Sequence, residues 1–415
     1  MSGRPSRTST MRAAVATVLV LTATLAWAQP GRLTESQRGE ALTAAQVDAR
    51  TAGRFRFDER EPPTVRSGVD VHLLRFETRN EHDEPVEGLA HLFVPHDPVD
   101  AGAVHAFAPG SSGLVDACAP SLPYLERGEL ASTGSYVLYG LAWAGQGMPT
   151  VVPTYTGFFD PDRLQPYFVA DAEAYVVLDA LRAAATVLEG LDPELTVRHA
   201  FASGFSQGGH AAFAAADRVE DYAPDVPLAG VAGFGPSGEV DVVLRAFPYV
   251  APWIFVAYEQ AYGRERIDPA ALLQEPYASR LADDVERLCI LETQTVYPGD
   301  PAALLEPELA ASLEAGRLAA THPELYALVK ENRTGVRPHG LPAIVLQGVD
   351  DPVAPLEDQH RFVARLCDLG SSVRYPNYAR TRHETRYLGF DAALEWMRDR
   401  VAGSPAPSDC DAVPR

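Results

Sequence analysis

The sequence predicts an α/β protein with a mostly parallel central sheet. Short, nearly continuous apolar runs recur along the chain and alternate with helical patterns, which is typical of a parallel sheet covered by helices. Two earlier runs alternate polar and apolar residues, and this alternation indicates an antiparallel hairpin. A long helix-like segment then interrupts the strands. The chain has 415 residues, enough for one large decorated domain or for two domains.

The predicted strands and helices follow from these patterns in order. The alternating runs 69–78 and 86–94 are joined by turn residues and form the hairpin. Helices are predicted at 170–188 and 208–219, where apolar residues recur at helical spacing. The buried strands are predicted at 104–108, 148–152, 196–202, 226–234 and 343–347.

Between residues 237 and 338 the alternation of strand and helix stops. This segment is helix-like, interrupted by prolines, and rich in aromatic residues that either pack its own core or form the wall of a site. We predict an α/β core over 29–236 and 339–403, a helical lid over 237–338, and a tail over 404–415. The aromatic residues are Phe247, Tyr249, Trp253, Phe255, Tyr258 and Tyr262.

The N-terminal residues 1–28 are predicted to be a signal peptide. An arginine-containing start precedes the apolar stretch 13–26, and Ala26-Trp27-Ala28 has the small-x-small pattern of a cleavage site. The apolar stretch is shorter than the roughly 20 residues that span a bilayer. We therefore expect cleavage near Ala28 and a periplasmic or secreted protein, and a retained membrane anchor is the alternative.

Charge and cysteine content limit the possible partners. The chain has 35 basic and 56 acidic residues and a formal charge of -21, the wrong sign for binding nucleic acid or an anionic membrane surface. Four widely spaced cysteines predict two disulfides in an oxidising compartment and no metal site. Spacing alone leaves three pairings open among Cys118, Cys289, Cys367 and Cys410.

A Gly-x-Ser-x-Gly pentapeptide surrounds Ser206. It lies between a predicted strand and a predicted helix, which is the setting of a nucleophile elbow. Such a turn strains the serine backbone, so the flanking positions Gly204 and Gly208 must lack bulk. The following helix directs its free N–H groups toward the serine oxygen, where an oxyanion would form. A glycine-rich turn without chemistry is the alternative.

A nucleophilic serine needs a base, and the base needs an orienting carboxylate. After a nucleophile elbow these residues follow in the order acid, then histidine. Asp350 and Asp351 lie on the loop after the strand 343–347 and are the candidate acids. His360 falls inside the next helix and is expected to face solvent. His383 follows an apparent strand at 373–378 and precedes a helix around 390–396, so it is the predicted base.

The second oxyanion donor is expected on the loop after the strand 104–108. This loop, Pro109-Gly110-Ser111-Ser112-Gly113, consists mostly of small residues that allow close backbone approach. We predict the backbone N–H groups of Gln207 and Ser112 as the oxyanion hole. Ser111 is the neighbouring alternative, and an ordinary exposed turn is the other interpretation.

Taken together, these stretches resemble the secretory lipases of the α/β-hydrolase superfamily, which include fungal lipases of the A type and bacterial exported homologues. The resemblance extends from about residue 69 to Cys410. It includes Cys118-Ala-Pro-Ser, Pro153-Thr-Tyr-Thr-Gly, a long helix pattern over 172–184, the elbow Gly-Phe-Ser-Gln-Gly-Gly, the loop Asp351-Pro-Val-Ala-Pro, and His383-Glu-Thr.

The resemblance implies an α/β-hydrolase fold with a helical lid and a triad of Ser206, Asp351 and His383. Asp351 is favoured over Asp350 because Asp-x-Val-x-Pro is the usual form of this loop in α/β hydrolases. The implied activity is hydrolysis of small-molecule or lipid carboxylic esters through an acyl-enzyme, without metal or organic cofactor. The resemblance also implies a monomer with at most transient contact to a lipid interface. It further implies the disulfides Cys118–Cys289 and Cys367–Cys410.

Three positions depart from the family pattern. Pro109-Gly110 stands where bacterial relatives commonly have His-Gly, Thr154 stands where aspartate is usual, and Phe205 replaces the commoner tyrosine. None is a triad residue, so these departures affect the expected substrate preference and not the reaction. The acidic composition favours esters with short or medium acyl chains. A serine peptidase or amidase with the same triad, and a non-catalytic binding protein, are the alternative functions.

Overall fold

The structure is a computed structural model, which describes residues 29–57, 59–127 and 135–415. The predicted signal peptide, residues 1–28, lies outside the described residues. The strands are β1 (Leu33–Leu42), β2 (Val69–Arg79), β3 (Pro85–Pro95), β4 (Ala103–Ala108), β5 (Thr150–Thr154), β6 (His199–Phe205), β7 (Leu228–Phe234), β8 (Ala343–Gly348), β9 (Val373–Arg374) and β10 (Asn377–Tyr378).

The described residues also form fifteen α-helices. Five precede β7, eight lie between β7 and β8, and two follow β8. They are α1 (Ala44–Phe57), α2 (Leu122–Arg127), α3 (Tyr136–Ala144), α4 (Ala170–Leu191), α5 (Gln207–Tyr222), α6 (Val240–Ala246), α7 (Ala251–Tyr262), α8 (Tyr277–Val285), α9 (Ile290–Val296), α10 (Pro301–Leu304), α11 (Pro307–Glu314), α12 (Leu318–Thr321), α13 (Pro323–Glu331), α14 (Leu356–Asp368) and α15 (Phe390–Val401).

The strands form one mixed sheet in the order β1-β2-β3-β5-β4-β6-β7-β8-β10, and β9 also pairs with β8. The pairs β1–β2, β2–β3 and β3–β5 are antiparallel, whereas β5–β4, β4–β6, β6–β7, β7–β8 and β8–β10 are parallel. The predicted α/β fold with a mostly parallel sheet and an N-terminal antiparallel hairpin is therefore confirmed.

The central strands are buried on both faces because helices cover both faces of the sheet. In β6, Ala200 and Ala202 pack in one layer with residues of α4 and α5. Phe201 and Phe205 point the other way and pack with residues of α3 and α15. This alternation explains why the central strands appear in the sequence as almost continuous apolar runs.

Some predicted boundaries differ from the observed ones. The strand predicted at 196–202 runs from His199 to Phe205, because Pro193–Leu195 forms a short 3-10 turn before it. The single strand predicted at 373–378 is two short strands separated by Pro376, which has no N–H for a ladder hydrogen bond. Strand β1 was not predicted, because most of its residues are polar and exposed, as expected for an edge strand.

The helices between β7 and β8 have an apolar core of their own. Trp253, Phe255 and Tyr258 are fully buried within it, so packing explains these aromatic residues.

No single helix among the described residues is long and apolar enough to cross a membrane. The consecutive segments Val240–Ala246 and Pro248–Tyr262 reach that length and apolar composition only when taken together, and the chain bends by 111° between them.

Two disulfides connect distant parts of the chain. Cys118 is bonded to Cys289, which joins the loop after β4 to the helical segment, and Cys367 is bonded to Cys410, which fixes the C-terminal tail to α14. This is the pairing that the family resemblance implied. The first disulfide also brings Cys289 into an isolated antiparallel bridge with Gly113.

Candidate active site

Ser206 occupies a sharp turn between β6 and α5. Its backbone has φ 57° and ψ -115°, a conformation that a non-glycine residue adopts only when the surrounding structure imposes it. A Cβ atom on Gly204 would lie 2.1 Å from the backbone of Gly208, and one on Gly208 would lie 1.9 Å from the carbonyl oxygen of Ala108. Both glycines are therefore required by close backbone approach, as the pentapeptide predicted.

Asp351 and His383 form a hydrogen-bonded pair. Nδ1 of His383 lies 2.8 Å from Oδ2 of Asp351. The other carboxylate oxygen of Asp351 accepts hydrogen bonds from the backbone N–H groups of Val353 and Ala354, at 2.8 and 2.9 Å. These contacts fix the carboxylate, and the carboxylate in turn orients the imidazole so that Nε2 is the nitrogen left for chemistry.

Ser206 and His383 line the same cavity, which has a volume of about 770 Å³. Ser206 is 8% exposed, and Nε2 of His383 has no hydrogen-bond partner in the part of the chain that the structure describes. Both residues, like Asp351, follow the carboxyl ends of parallel strands, which meet at one edge of the sheet. Apolar lining residues include Phe168, Phe205, Val243, Phe247, Ile290 and Leu291.

The loop after β4 contributes Ser111 to the cavity wall. The hydroxyl of Ser111 lies 2.5 Å from that of Tyr167, and burial raises the pKa of Tyr167, so this phenol stays protonated. Ser112 is buried next to it, and its carbonyl oxygen accepts a 2.9 Å hydrogen bond from the N–H of Ile290. The helical segment therefore holds the loop in which an oxyanion donor is predicted.

Arg386 lies on the same loop as His383 and is 2% exposed. Its guanidinium forms two 2.9 Å hydrogen bonds with Glu384 and stacks on four aromatic rings. Burial opposes its charge, but Glu384 and the surrounding phenols raise the pKa of Arg386 above its usual value. The rings belong to Tyr136, Tyr139, Phe205 and Tyr387, at 4.7 to 5.7 Å from Cζ. The Phe205 ring also contacts the His383 ring, so Phe205 connects Arg386 to the imidazole.

A buried polar network lies under the elbow. Glu173 of α4 accepts hydrogen bonds from the side chain of Gln207, at 2.8 Å, and from the backbone of Phe168, at 3.1 Å. Its second oxygen lies 2.6 Å from Nδ1 of His210. Nε2 of His210 lies 2.6 Å from the carbonyl oxygen of Asn332, at the end of the helical segment. The network therefore joins the residue after Ser206 to that segment.

Asp350, the alternative acid, is exposed to solvent. His360 was expected to face solvent but is half-buried, because its ring packs against Tyr375. No group of three or more His, Cys, Asp or Glu side chains suited to a metal ion occurs in the described residues.

Several residues of the site were not found from the sequence. Arg386 and Glu384 lie within three positions of His383, so their place on the same loop was the available indication, but burial of an arginine cannot be inferred from sequence. Arg54 and Phe57 also line the cavity. They were missed because α1 was not predicted, since its few apolar residues that pack inward are mixed with arginines and other polar residues.

Comparison with solved structures supports the fold. Candida antarctica lipase A aligns with a TM-score of 0.67 and 17% identity over 92% of this chain and 84% of its own. The rice cell wall degrading esterase LipA from Xanthomonas oryzae aligns with a TM-score of 0.70 and 18% identity over 90% of this chain and 99% of its own. At such identities the similarity establishes the fold alone.

Sequence comparison identifies the family. A probable inactive lipase of Mycobacterium tuberculosis (strain CDC 1551 / Oshkosh) is 23% identical over 354 residues, which cover 81% of this chain and 75% of that protein. The family profile of the secretory lipases matches residues 136–409. Because this match spans more than half of the chain and includes the elbow, the acid loop and the histidine loop, the chain belongs to the secretory lipase family.

Proposed function

We propose that this protein is an exported carboxylic ester hydrolase that acts through Ser206, His383 and Asp351. The observation that supports this proposal most strongly is the Asp351–His383 pair. His383 lines the same cavity as Ser206, which occupies a strained elbow, and its Nε2 has no hydrogen-bond partner among the described residues. Backbone strain at a non-glycine residue persists only where the surrounding structure imposes it, and such residues cluster at active sites. An oriented imidazole in the same cavity gives that strain a chemical purpose.

The proposed reaction begins when His383 takes the proton of Ser206 as its oxygen attacks the ester carbonyl. Asp351 holds the imidazole and stabilises the imidazolium that forms. The alcohol leaves with the proton from His383, and an acyl group remains on Ser206. Water then attacks the acyl-enzyme, again with His383 as the base, and releases the acid. The groups that react in these steps are Ser206, His383, the ester and water, with Asp351 as the orienting carboxylate.

The oxyanion is proposed to bind the backbone N–H of Gln207 and an N–H of the loop after β4. Gln207 is the first residue of α5, so its N–H has no partner within the helix and lies next to the reacting oxygen. Ser112 was the predicted second donor. The contribution of Ser111 to the cavity wall favours its N–H instead. Each donor stabilises the transition state by about 3 kcal/mol.

Two further proposals concern domain organisation and location. The helices between β7 and β8 supply Val243, Phe247 and Ile290 to the cavity wall, which supports the proposal that residues 237–338 act as a lid over the core, 29–236 and 339–403. Two disulfides and membership of a secretory family are consistent with a periplasmic or extracellular location. We propose export after cleavage near Ala28.

The experiment that tests the function is turnover of 4-nitrophenyl acyl esters of increasing chain length by the purified mature protein. Short or medium acyl esters are expected to be cleaved faster than emulsified long-chain triglycerides. Peptide anilides assayed in parallel separate an ester hydrolase from a serine peptidase or amidase. Cleavage of anilides but not of esters would contradict the proposal.

Replacing Asp351 with asparagine is expected to lower kcat for a 4-nitrophenyl ester by about 10⁴-fold while the fold is retained. An amide keeps the shape of the carboxylate but does not stabilise the imidazolium and favours the wrong tautomer. The matched control is Asp350→Asn, which removes the neighbouring exposed carboxylate and is expected to leave kcat nearly unchanged. Equal losses in the two variants, measured by steady-state kinetics, would exclude Asp351 as the orienting acid.

Replacing Ile290 with proline is expected to lower kcat roughly 10- to 100-fold, because Ser112 loses the N–H that holds the oxyanion loop. Proline suits this position, since Ile290 is the first residue of α9 and Cys289 before it is extended. Ile290→Val keeps the N–H and a similar side chain, so it is the control. If the proline and valine variants have the same kcat and KM, the helical segment does not support the loop.

A further inference from the structure

The charge around the candidate active site is opposite to that of the whole chain. The chain has a formal charge of -21, but among the described residues the charged side chains that line the cavity, apart from His383, are three arginines and one glutamate. They are Arg54, Arg382, Arg386 and Glu384. A cleft lined by charge of one sign concentrates ligands of the opposite sign. This local excess of positive charge therefore bears on which esters enter.

Two of these arginines are not paired with a carboxylate in the part of the chain that the structure describes. The guanidinium of Arg54 instead lies over the Phe57 ring, 5.3 Å from its centroid. Among the described residues, neither Arg54 nor Arg382 has a carboxylate partner within ion-pair distance, although most other arginines do. Nε of Arg54 is buried without a hydrogen-bond partner within the described part of the chain. A guanidinium that is partly buried and unpaired beside a cavity gains a hydrogen-bonded partner when an anion enters.

The position of α1 explains how Arg54 reaches the cavity. The Phe55 ring packs against the rings of Tyr387 and Phe390, at 5.0 and 5.4 Å, so the last turn of α1 lies beside the loop that carries His383. Arg54 and Phe57, which is 75% exposed, are thereby left at the rim. Arg382, also exposed, precedes His383 directly. The two cations therefore lie at the entrance and not at the apolar floor.

Arg386 has a different role from the other two. It is almost completely buried, is neutralised by Glu384 and is surrounded by aromatic rings. Its Nη1 nitrogen is buried and has no hydrogen-bond partner among the described residues. The pairing of Arg386 with Glu384 leaves the charge of Arg54 and Arg382 uncompensated within the lining.

We propose that Arg54 and Arg382 form a subsite for a carboxylate, so that the preferred substrates are esters that carry a negatively charged group at the end that faces the cavity entrance. This inference rests on the proposed function and names its substrate class. The ester would place its apolar part against Phe168, Val243 and Phe247, and its carboxylate at the rim. Long neutral esters lack a partner for these two cations and leave them unpaired.

The test measures binding without turnover, in the Ser206→Ala background, by isothermal titration calorimetry. Two matched pairs of probes are used, and in each pair one ester carries a carboxylate where the other carries a carboxamide. Monobutyl adipate and butyl adipamate place the group on the acyl side, and 4-acetoxybenzoate and 4-acetoxybenzamide place it on the alcohol side. We expect the carboxylate of at least one pair to bind about tenfold more tightly than its amide, because it would form partly exposed ion pairs with Arg54 and Arg382.

Adding Arg54→Gln and Arg382→Gln together is expected to reduce this ratio of affinities to near one. The control adds Arg56→Gln and Arg380→Gln, which also remove two positive charges but at exposed neighbouring positions outside the cavity lining. This control should leave the ratio unchanged. An equal loss in both double variants, or no preference for either carboxylate, would overturn the subsite. Because binding is measured without Ser206, an inactive wild-type protein would refute the proposed function without deciding this result.

Discussion

Replacing Ser206 with alanine is expected to lower kcat/KM for ester hydrolysis by roughly 10⁴- to 10⁶-fold. The reason is chemical, because the variant has no nucleophile although the cavity, the Asp351–His383 pair and the backbone N–H groups persist. Alanine at this position keeps the strained φ of the elbow, so the fold should be preserved. The measurement is steady-state hydrolysis of a 4-nitrophenyl ester together with a circular dichroism spectrum.

Two controls accompany this variant. Ser237→Ala removes a hydroxyl from the same cavity wall and is expected to keep most of the activity. Adding His383→Ala to Ser206→Ala should cause little further loss, because residues that act as one unit are strongly non-additive. Activity in Ser206→Ala comparable to that of the wild type would show that another group performs the chemistry.

Replacing Glu173 with leucine is expected to lower the free energy of unfolding by about 3–5 kcal/mol, because it leaves three buried polar groups without a partner, at about 1–3 kcal/mol each. Both ring nitrogens of His210 face oxygen atoms, one of the Glu173 carboxylate and one of the Asn332 carbonyl. Glu173 is thus the buried partner of Nδ1 of His210, of the Gln207 side-chain amide and of the Phe168 backbone N–H. Leucine would leave all three groups buried without this partner.

The measurement for Glu173→Leu is chemical denaturation followed by fluorescence. Glu189→Leu is the matched control, because Glu189 lies on the same helix but is exposed, and it is expected to change stability by less than about 0.5 kcal/mol. Activity at low denaturant should also fall in Glu173→Leu, since Gln207 loses its side-chain partner. A loss of stability no larger than that of the control would contradict the stabilising role of Glu173.

The sequence was sufficient for the parts of the fold that depend on local pattern. The central strands were visible because both faces are buried, and the elbow was visible because close approach at Gly204 and Gly208 excludes every larger residue. Asp351 and His383 each lie on a loop that follows a predicted strand. Their positions therefore predicted that both residues would lie at the same edge of the sheet. Their hydrogen bond agrees with that expectation.

The sequence was insufficient where the structure depends on tertiary contact. The polar edge strand β1 and the helix α1 have no strong periodic pattern, so the cavity rim with Arg54 and Phe57 was not anticipated. The burial of Arg386 follows from four aromatic rings that come from different parts of the chain. The network of Glu173, His210 and Asn332 also joins residues that are far apart in sequence, which no local pattern reveals.

The most direct test of the proposed activity is covalent labelling of the purified mature protein by a fluorophosphonate, followed by mass spectrometry of the modified peptide. A serine that is activated by an oriented histidine attacks phosphorus, whereas an ordinary serine does not. The proposed mechanism predicts stoichiometric modification at Ser206, which Asp351→Asn slows and His383→Ala abolishes. An unlabelled protein, or modification of a different serine, would contradict the assignment of Ser206 as the nucleophile.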